Sequence, residues 1–209
     1  MKFTINKQTP LYRGFFALDA FDIEHECFDG GTLNIRREHL ERGDAIAVVL
    51  YDPAIDAVLL IEQFRIGAAV HKENPWMIEI VAGMIDAGSN PEQTVRREAM
   101  EEAGYEVQTL KHLGSYFVSP GGCSEKIELY LGTIDHDESM ELLHGLDHEG
   151  EDIRTFWLPR AEAMQWVLQG KITSGAPMLG LLLAFGCEGA IKSSDQPSGI
   201  QSHPAYHAS

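Results

Sequence analysis

A single change of period, between residues 76 and 104, constrains this chain more than any other feature. Trp76-Met77-Ile78-Glu79-Ile80-Val81 is a short, mostly apolar run that reads as a strand ending at Ala82-Gly83. Further on, Val95, Ala99 and Ala103 recur four apart, the spacing of a helix with one buried stripe. Asn90 is a favourable N-cap, Pro91 suits the first helical position, and Gln93 stands at capping-box spacing from Asn90. Gly104 suits the left-handed residue that closes a helix. The pattern predicts a helix from Pro91 to Ala103, fed by a glycine-containing loop. Glu98, Glu101 and Glu102 fall on the face beside its apolar stripe. Three carboxylates this close repel one another at neutral pH. They are either a solvated acidic face or a site for a divalent cation, and hard oxygen donors on a rigid helix suit Mg²⁺ or Mn²⁺.

The rest of the chain supplies elements for this helix to pack on. Ala45–Tyr51 (AIAVVLY) is a continuous apolar run, hence a buried strand, and Asp52-Pro53 turns it toward a partner strand at Ala57–Phe64. Upstream, Leu11–Phe28 and Thr32–Leu40 read as strands around the turn Asp29-Gly30-Gly31. They predict a β-hairpin with one extra segment, too small for its own core and in need of a docking surface such as a second subunit. Downstream, strands are expected at Gly114–Val118, Lys126–Gly132 and Ile153–Leu158, then helices at Ala161–Gln169 and near Pro177–Phe185. The division expected is a β-rich segment over 1–43, a main domain over 44–187, and a polar, disordered tail over 188–209.

Composition excludes some partners. The formal net charge of −16 disfavours nucleic-acid backbone and anionic membrane, both of which need clustered Lys and Arg. A phosphate-bearing ligand would need a local pocket where metal ions and a few arginines reverse the field. No apolar run of about 18 residues is present, so no membrane-spanning helix is expected. The opening MKFTINKQTP lacks an apolar core, so no secretory signal is expected. Cys27, Cys123 and Cys187 are odd in number and widely spaced, which fits thiols of a reducing cytoplasm. His144 and His148 have i, i+4 spacing, but Gly145 between them argues against a zinc helix. His203 and His207 lie in the polar tail.

The run Gly83…Arg97-Glu98-Ala99-Met100-Glu101-Glu102-Ala103-Gly104-Tyr105 resembles the signature of the Nudix hydrolases, G-x5-E-x7-R-E-U-x-E-E-x-G-U, where U is apolar. One position departs. Ser89 stands where the family usually has its first Glu, a largely structural residue; Ser89 is expected to serve instead by accepting N–H bonds at the helix end. The likeness extends over about residues 11–187 and is similar to the bacterial ADP-ribose pyrophosphatases. Pro120, in Ser119-Pro120-Gly121-Gly122, stands fifteen residues beyond Tyr105, where that subfamily has a characteristic proline. An ordinary turn is the plain alternative.

The resemblance implies an α/β/α sandwich around a mixed β-sheet, with an N-terminal β-rich appendage exchanged in a homodimer. It implies Mg²⁺-dependent hydrolysis of ADP-ribose to AMP and ribose 5-phosphate in the cytoplasm. The metal would be held by Glu98, Glu101, Glu102, Glu151 and the carbonyl of Ala82. Glu149 or Glu151 would be the base, with Glu149 preferred over the alternative of an acidic surface loop. Arg65 would reach the phosphates, or else form a rim salt bridge. Arg37 and Glu38 would contact the nucleotide, with Pro120 near it. Phe15 would stack on the adenine of the partner subunit's ligand, core packing being its alternative. Another nucleoside diphosphate sugar such as GDP-mannose is the nearest competing substrate. A non-catalytic regulator that binds nucleotide sugars is the competing class.

Overall fold

The computed structural model describes residues 1–86, 88–146, 148 and 150–186. Three strands, β1 (Phe3–Arg13), β2 (Ala17–Glu26) and β3 (Thr32–Glu41), form an antiparallel sheet in chain order. The turn between β2 and β3 is the one foreseen, with Gly30 and Gly31 at φ 92° and 82°. β1 starts eight residues before the expected Leu11. Its residues are exposed almost throughout, so no buried face imprinted an apolar alternation on Phe3–Thr9. Buried Asp19 braces the sheet, accepting from Arg13 at 2.6 Å and Gln8 at 2.9 Å.

The second sheet begins with β4 (Ala45–Asp52) and β5 (Ala57–Phe64), paired only near their turn, at Leu50↔Leu59 to Asp52↔Ala57. The two strands then diverge. After the short helix α1 (Ile66–Val70), the chain fills the fork. β6 (Trp76–Glu79) pairs with β5, and β7 (Val81–Met84) pairs with β4. The single strand expected at Trp76–Val81 is therefore two, divided at buried Ile80 where the chain changes partner.

Helix α2 (Pro91–Ala103) follows, with the bounds expected. Then come β8 (Thr109–Phe117), β9 (Lys126–Thr133), β10 (Leu143–His144) and β11 (Ile153–Pro159), and the helices α3 (Arg160–Leu168) and α4 (Gly175–Phe185). The sheet runs β10-β11-β5-β4-β9-β8 and is mixed, because β4 and β9 are parallel while its other pairs are antiparallel. Side chains alternate across β4. Ile46, Val48 and Leu50 share a core cluster with Val95, Ala99 and Ala103 of α2, while Ala47 and Val49 share the opposite cluster with Ala163, Val167 and Leu181 of α3 and α4. Helices cover both faces, which is why AIAVVLY is apolar without alternation.

The two sheets are tied beside Pro120. Leu40 on β3 donates to the carbonyl of Gly122 at 2.8 Å, and Ser124 Oγ donates to Glu41 at 2.7 Å. Among the described residues, no helix is long and apolar enough to cross a membrane. Cys187, His203, His207 and the tail over 188–209 lie outside the described residues.

Candidate active site

The fork brings one end of β7 against α2. Asn90 Oδ1 accepts from the N–H of Glu92 at 2.9 Å, and Gly104 closes the helix at φ 74°. Ser89 does not cap it. Its side chain is exposed and makes no hydrogen bond among the described residues, because Asn90 already takes the orphan donor. The buried stripe holds the helix so that Glu98 and Glu102 turn toward Ala82 and Gly83.

Glu102 is 2% exposed, and its Oε2 accepts from the backbone N–H of Ala82 at 3.0 Å. Glu98 lies directly over Gly83, where an added Cβ would stand 1.9 Å from Glu98 Oε1. Only a residue without a side chain allows this approach. Arg97 forks between Glu98 Oε1 at 2.6 Å and Glu101 Oε2 at 2.5 Å. The i, i+4 pair expected between Arg97 and Glu101 is thus present.

Burial dominates the electrostatics. It pushes the Glu98 carboxyl up to about 7; Arg97 opposes this, and Glu101 and Glu151 add to it. Burial pushes Glu102 up to about 8, against the Ala82 N–H, with further upward contributions from Glu98 and Glu151. Arg65 lowers it. Arg65 itself donates from Nε to Glu79 at 2.7 Å, the salt bridge named as its alternative role, yet neither outer guanidinium nitrogen bonds another described residue.

Glu151 enters from the loop before β11. Its Oε2 accepts from Leu146 N–H at 3.3 Å, and the Gly145 N–H reaches the Glu101 carbonyl at 3.4 Å. That loop packs closely, for a Cβ on Gly145 would meet Glu151 Cβ at 2.8 Å.

Ala82, Glu98, Glu101, Glu102, Arg65 and Glu151 are therefore gathered, while Glu149 lies outside the described residues. Phe15, Arg37 and Glu38 belong to the other sheet. Phe15 is 84% exposed at the β1–β2 turn, edge-on to Phe16, so core packing within the chain is excluded. Arg37 and Glu38 are exposed on β3. Pro120 lies in the loop that meets β3. Glu79 went unrecognised in the sequence. The signal was a carboxylate within an apolar strand, and in the fold it is buried and anchors Arg65.

The donor set suits a hard cation. One buried and one half-buried carboxylate are held above their ordinary range, with Arg97 and Arg65 as the nearby positive charges. Among the described residues, no three acidic, His or Cys side chains already converge as a cage. Arg97 draws Glu98 and Glu101 to itself, and the Ala82 N–H holds Glu102.

The family model described as NUDIX domain matches residues 41–177. The chain belongs to the Nudix family. An ADP-ribose pyrophosphatase of Haemophilus influenzae (strain ATCC 51907 / DSM 11121 / KW20 / Rd) is 44% identical over 181 residues, 85% of this chain and 82% of that protein. A GDP-mannose pyrophosphatase of Escherichia coli O1:K1 / APEC is 32% identical over 177 residues, 84% of this chain and 91% of that one. A crystal structure of an ADP compounds hydrolase matches with a TM-score of 0.68 and 21% identity, covering 88% of this Nudix chain and 92% of its own. The mixed α/β fold expected from the sequence holds. The relatives bear out the expectation of a hydrolase acting on pyrophosphate bonds.

Proposed function

We propose that this Nudix protein hydrolyses the pyrophosphate of ADP-ribose, giving AMP and ribose 5-phosphate. The observation that carries the reading is buried Glu102 and half-buried Glu98 set against Ala82-Gly83, in a chain 44% identical to an ADP-ribose pyrophosphatase. Glu98, Glu101, Glu102, Glu151 and the Ala82 carbonyl would hold Mg²⁺ or Mn²⁺. The bound cation would neutralise phosphate charge and lower the pKa of a coordinated water.

The chain's own residues do the rest. Arg65, anchored through Nε by Glu79, offers its two outer nitrogens to phosphate oxygens. Water adds to one phosphorus, the bond from that phosphorus to the bridging oxygen breaks, and Glu149 accepts the proton of the attacking water. Glu151 is the alternative base. The N-terminal segment, 1–43, is a dimerisation and substrate-binding unit exchanged between two copies, and 44–187 is the hydrolase domain. Exposure of Phe3, Ile5, Leu11, Tyr12 and Phe15 supports a partner surface there. In the dimer Phe15 stacks on the adenine, and Arg37, Glu38 and Pro120 line the nucleotide. Cys27 and Cys123 are free thiols, which supports a cytoplasmic setting.

The test is a panel of sugar nucleotides with Mg²⁺, products separated by chromatography. AMP from ADP-ribose far faster than GMP from GDP-mannose is the expected result. The reverse order would favour the GDP-mannose reading, which the 32% identical relative motivates. Binding without any product would favour a regulator that senses nucleotide sugars.

A further inference from the structure

Among the described residues, three buried side-chain polar atoms have no hydrogen-bond partner: Thr9 Oγ1, Arg42 Nε and Gln63 Nε2. Arg42 has Glu125 beside it at 3.3 Å, and Thr9 lies in the N-terminal sheet. Gln63 is set apart by its location. It is 7% exposed on β5, and alternate residues of a strand share a face. Leu59 and Ile61, on its own face, belong to the same core cluster as Val95, Ala99 and Ala103 of α2. The backbone stays extended at Arg65, with φ −126° and ψ 114°, so Gln63 stands between Ile61 and Arg65 on the side turned to the catalytic helix. Glu79, which anchors Arg65, is paired opposite Ile61. The charge of Arg65 reaches Glu102. Phe64, on the other face, meets Trp76 instead.

An amide buried without an acceptor destabilises a fold, whereas an apolar side chain would fill the same space freely. A buried donor next to a guanidinium whose outer nitrogens are unbonded is suited to an oxygen that arrives with a ligand. We infer that Gln63 is a substrate-binding residue, its amide N–H donating to a phosphate oxygen of the diphosphate held by Arg65 on the same strand face. The inference rests on the proposed sugar-nucleotide diphosphatase activity.

Gln63→Met keeps the length of the side chain and removes the donor. The expected result is a KM for ADP-ribose raised about tenfold or more, a smaller change in kcat, and a Tm equal to or above that of the wild type. Gln63→Glu keeps the shape but adds negative charge, and should raise KM further. A purely structural amide would shift Tm and leave KM in place, so unchanged KM and kcat in a folded Gln63→Met protein overturn the inference. Gln63→Leu provides the same readout if the methionine variant does not fold. If the wild type prefers another sugar nucleotide, the ADP-ribose reading fails while Gln63 is judged on the KM for that substrate. If the wild type neither binds nor hydrolyses any sugar nucleotide by calorimetry and product assay, both fall.

Discussion

Replacing Gly83 by alanine would separate the geometry of the site from the stability of the fold. The new methyl would stand 1.9 Å from Glu98 Oε1, 2.1 Å from Cδ and 2.5 Å from Cγ, so the whole carboxyl arm must leave. Reaching ordinary contact, at 3.4 Å, moves the carboxylate about 1.5 Å. Stability should change little. Alanine in a strand is favoured over glycine by about 0.5–1 kcal/mol, and a displaced rotamer costs about 0.5–1.5 kcal/mol. The Arg97–Glu98 pair, whose Arg97 side is half-exposed, adds about 1 kcal/mol. Activity should respond strongly, because a misplacement of about 1 Å can cost on the order of a hundredfold. The expected outcome is a kcat/KM for ADP-ribose about a hundredfold lower, with Tm within a few degrees of the wild type. Chromatographic AMP release and thermal unfolding measure the two. Undiminished turnover in the alanine variant would refute the placement of Glu98 over Gly83.

Other perturbations test the remaining parts. Glu98 and Glu102 are held near 7 and 8 in the fold, above the ordinary 4.5, so the folded state binds their protons more tightly than the unfolded chain. Their contribution is full below about pH 4.5 and is lost as pH rises through those values. In chelator, Tm should therefore fall between about pH 5 and 8, and Mg²⁺ should restore it at the upper end; a flat profile in chelator would count against the burial argument. Glu149→Gln should lose most turnover while keeping Tm, and full retention, with loss instead in Glu151→Gln, would move the base to Glu151. Phe15→Ala should raise KM for ADP-ribose without lowering Tm, since the ring is 84% exposed in one chain; an unchanged KM would remove it from the nucleotide site.

Local signals carried much of the plan. The caps and the four-residue stripe gave α2 its ends, and the continuous apolar run gave β4. β1 escaped detection upstream of Leu11 because nothing on it is deeply buried, and burial is what writes periodicity into a strand. Ser89 misled for a related reason. Two adjacent side chains are both able to cap, and only the helix entry decides that Asn90 does so. Glu79 and Gln63 looked like polar interruptions of apolar strands, with nothing nearby in sequence to say what they face.

The sequence by itself determined the helix, its caps, the spacing of its carboxylates and membership of the Nudix family. These depend on neighbours three or four residues away, which a linear chain displays directly. Only the tertiary structure decided that the chain changes strand partner at Ile80. That switch sets Ala82 N–H against Glu102 and lays Gly83 beneath Glu98. Strand pairing joins residues remote in sequence, and β4 and β5 are apolar along most of their length and would satisfy more than one partner. The burial of Glu102, the anchoring of Arg65 by Glu79 and the unpaired amide of Gln63 all follow from that choice.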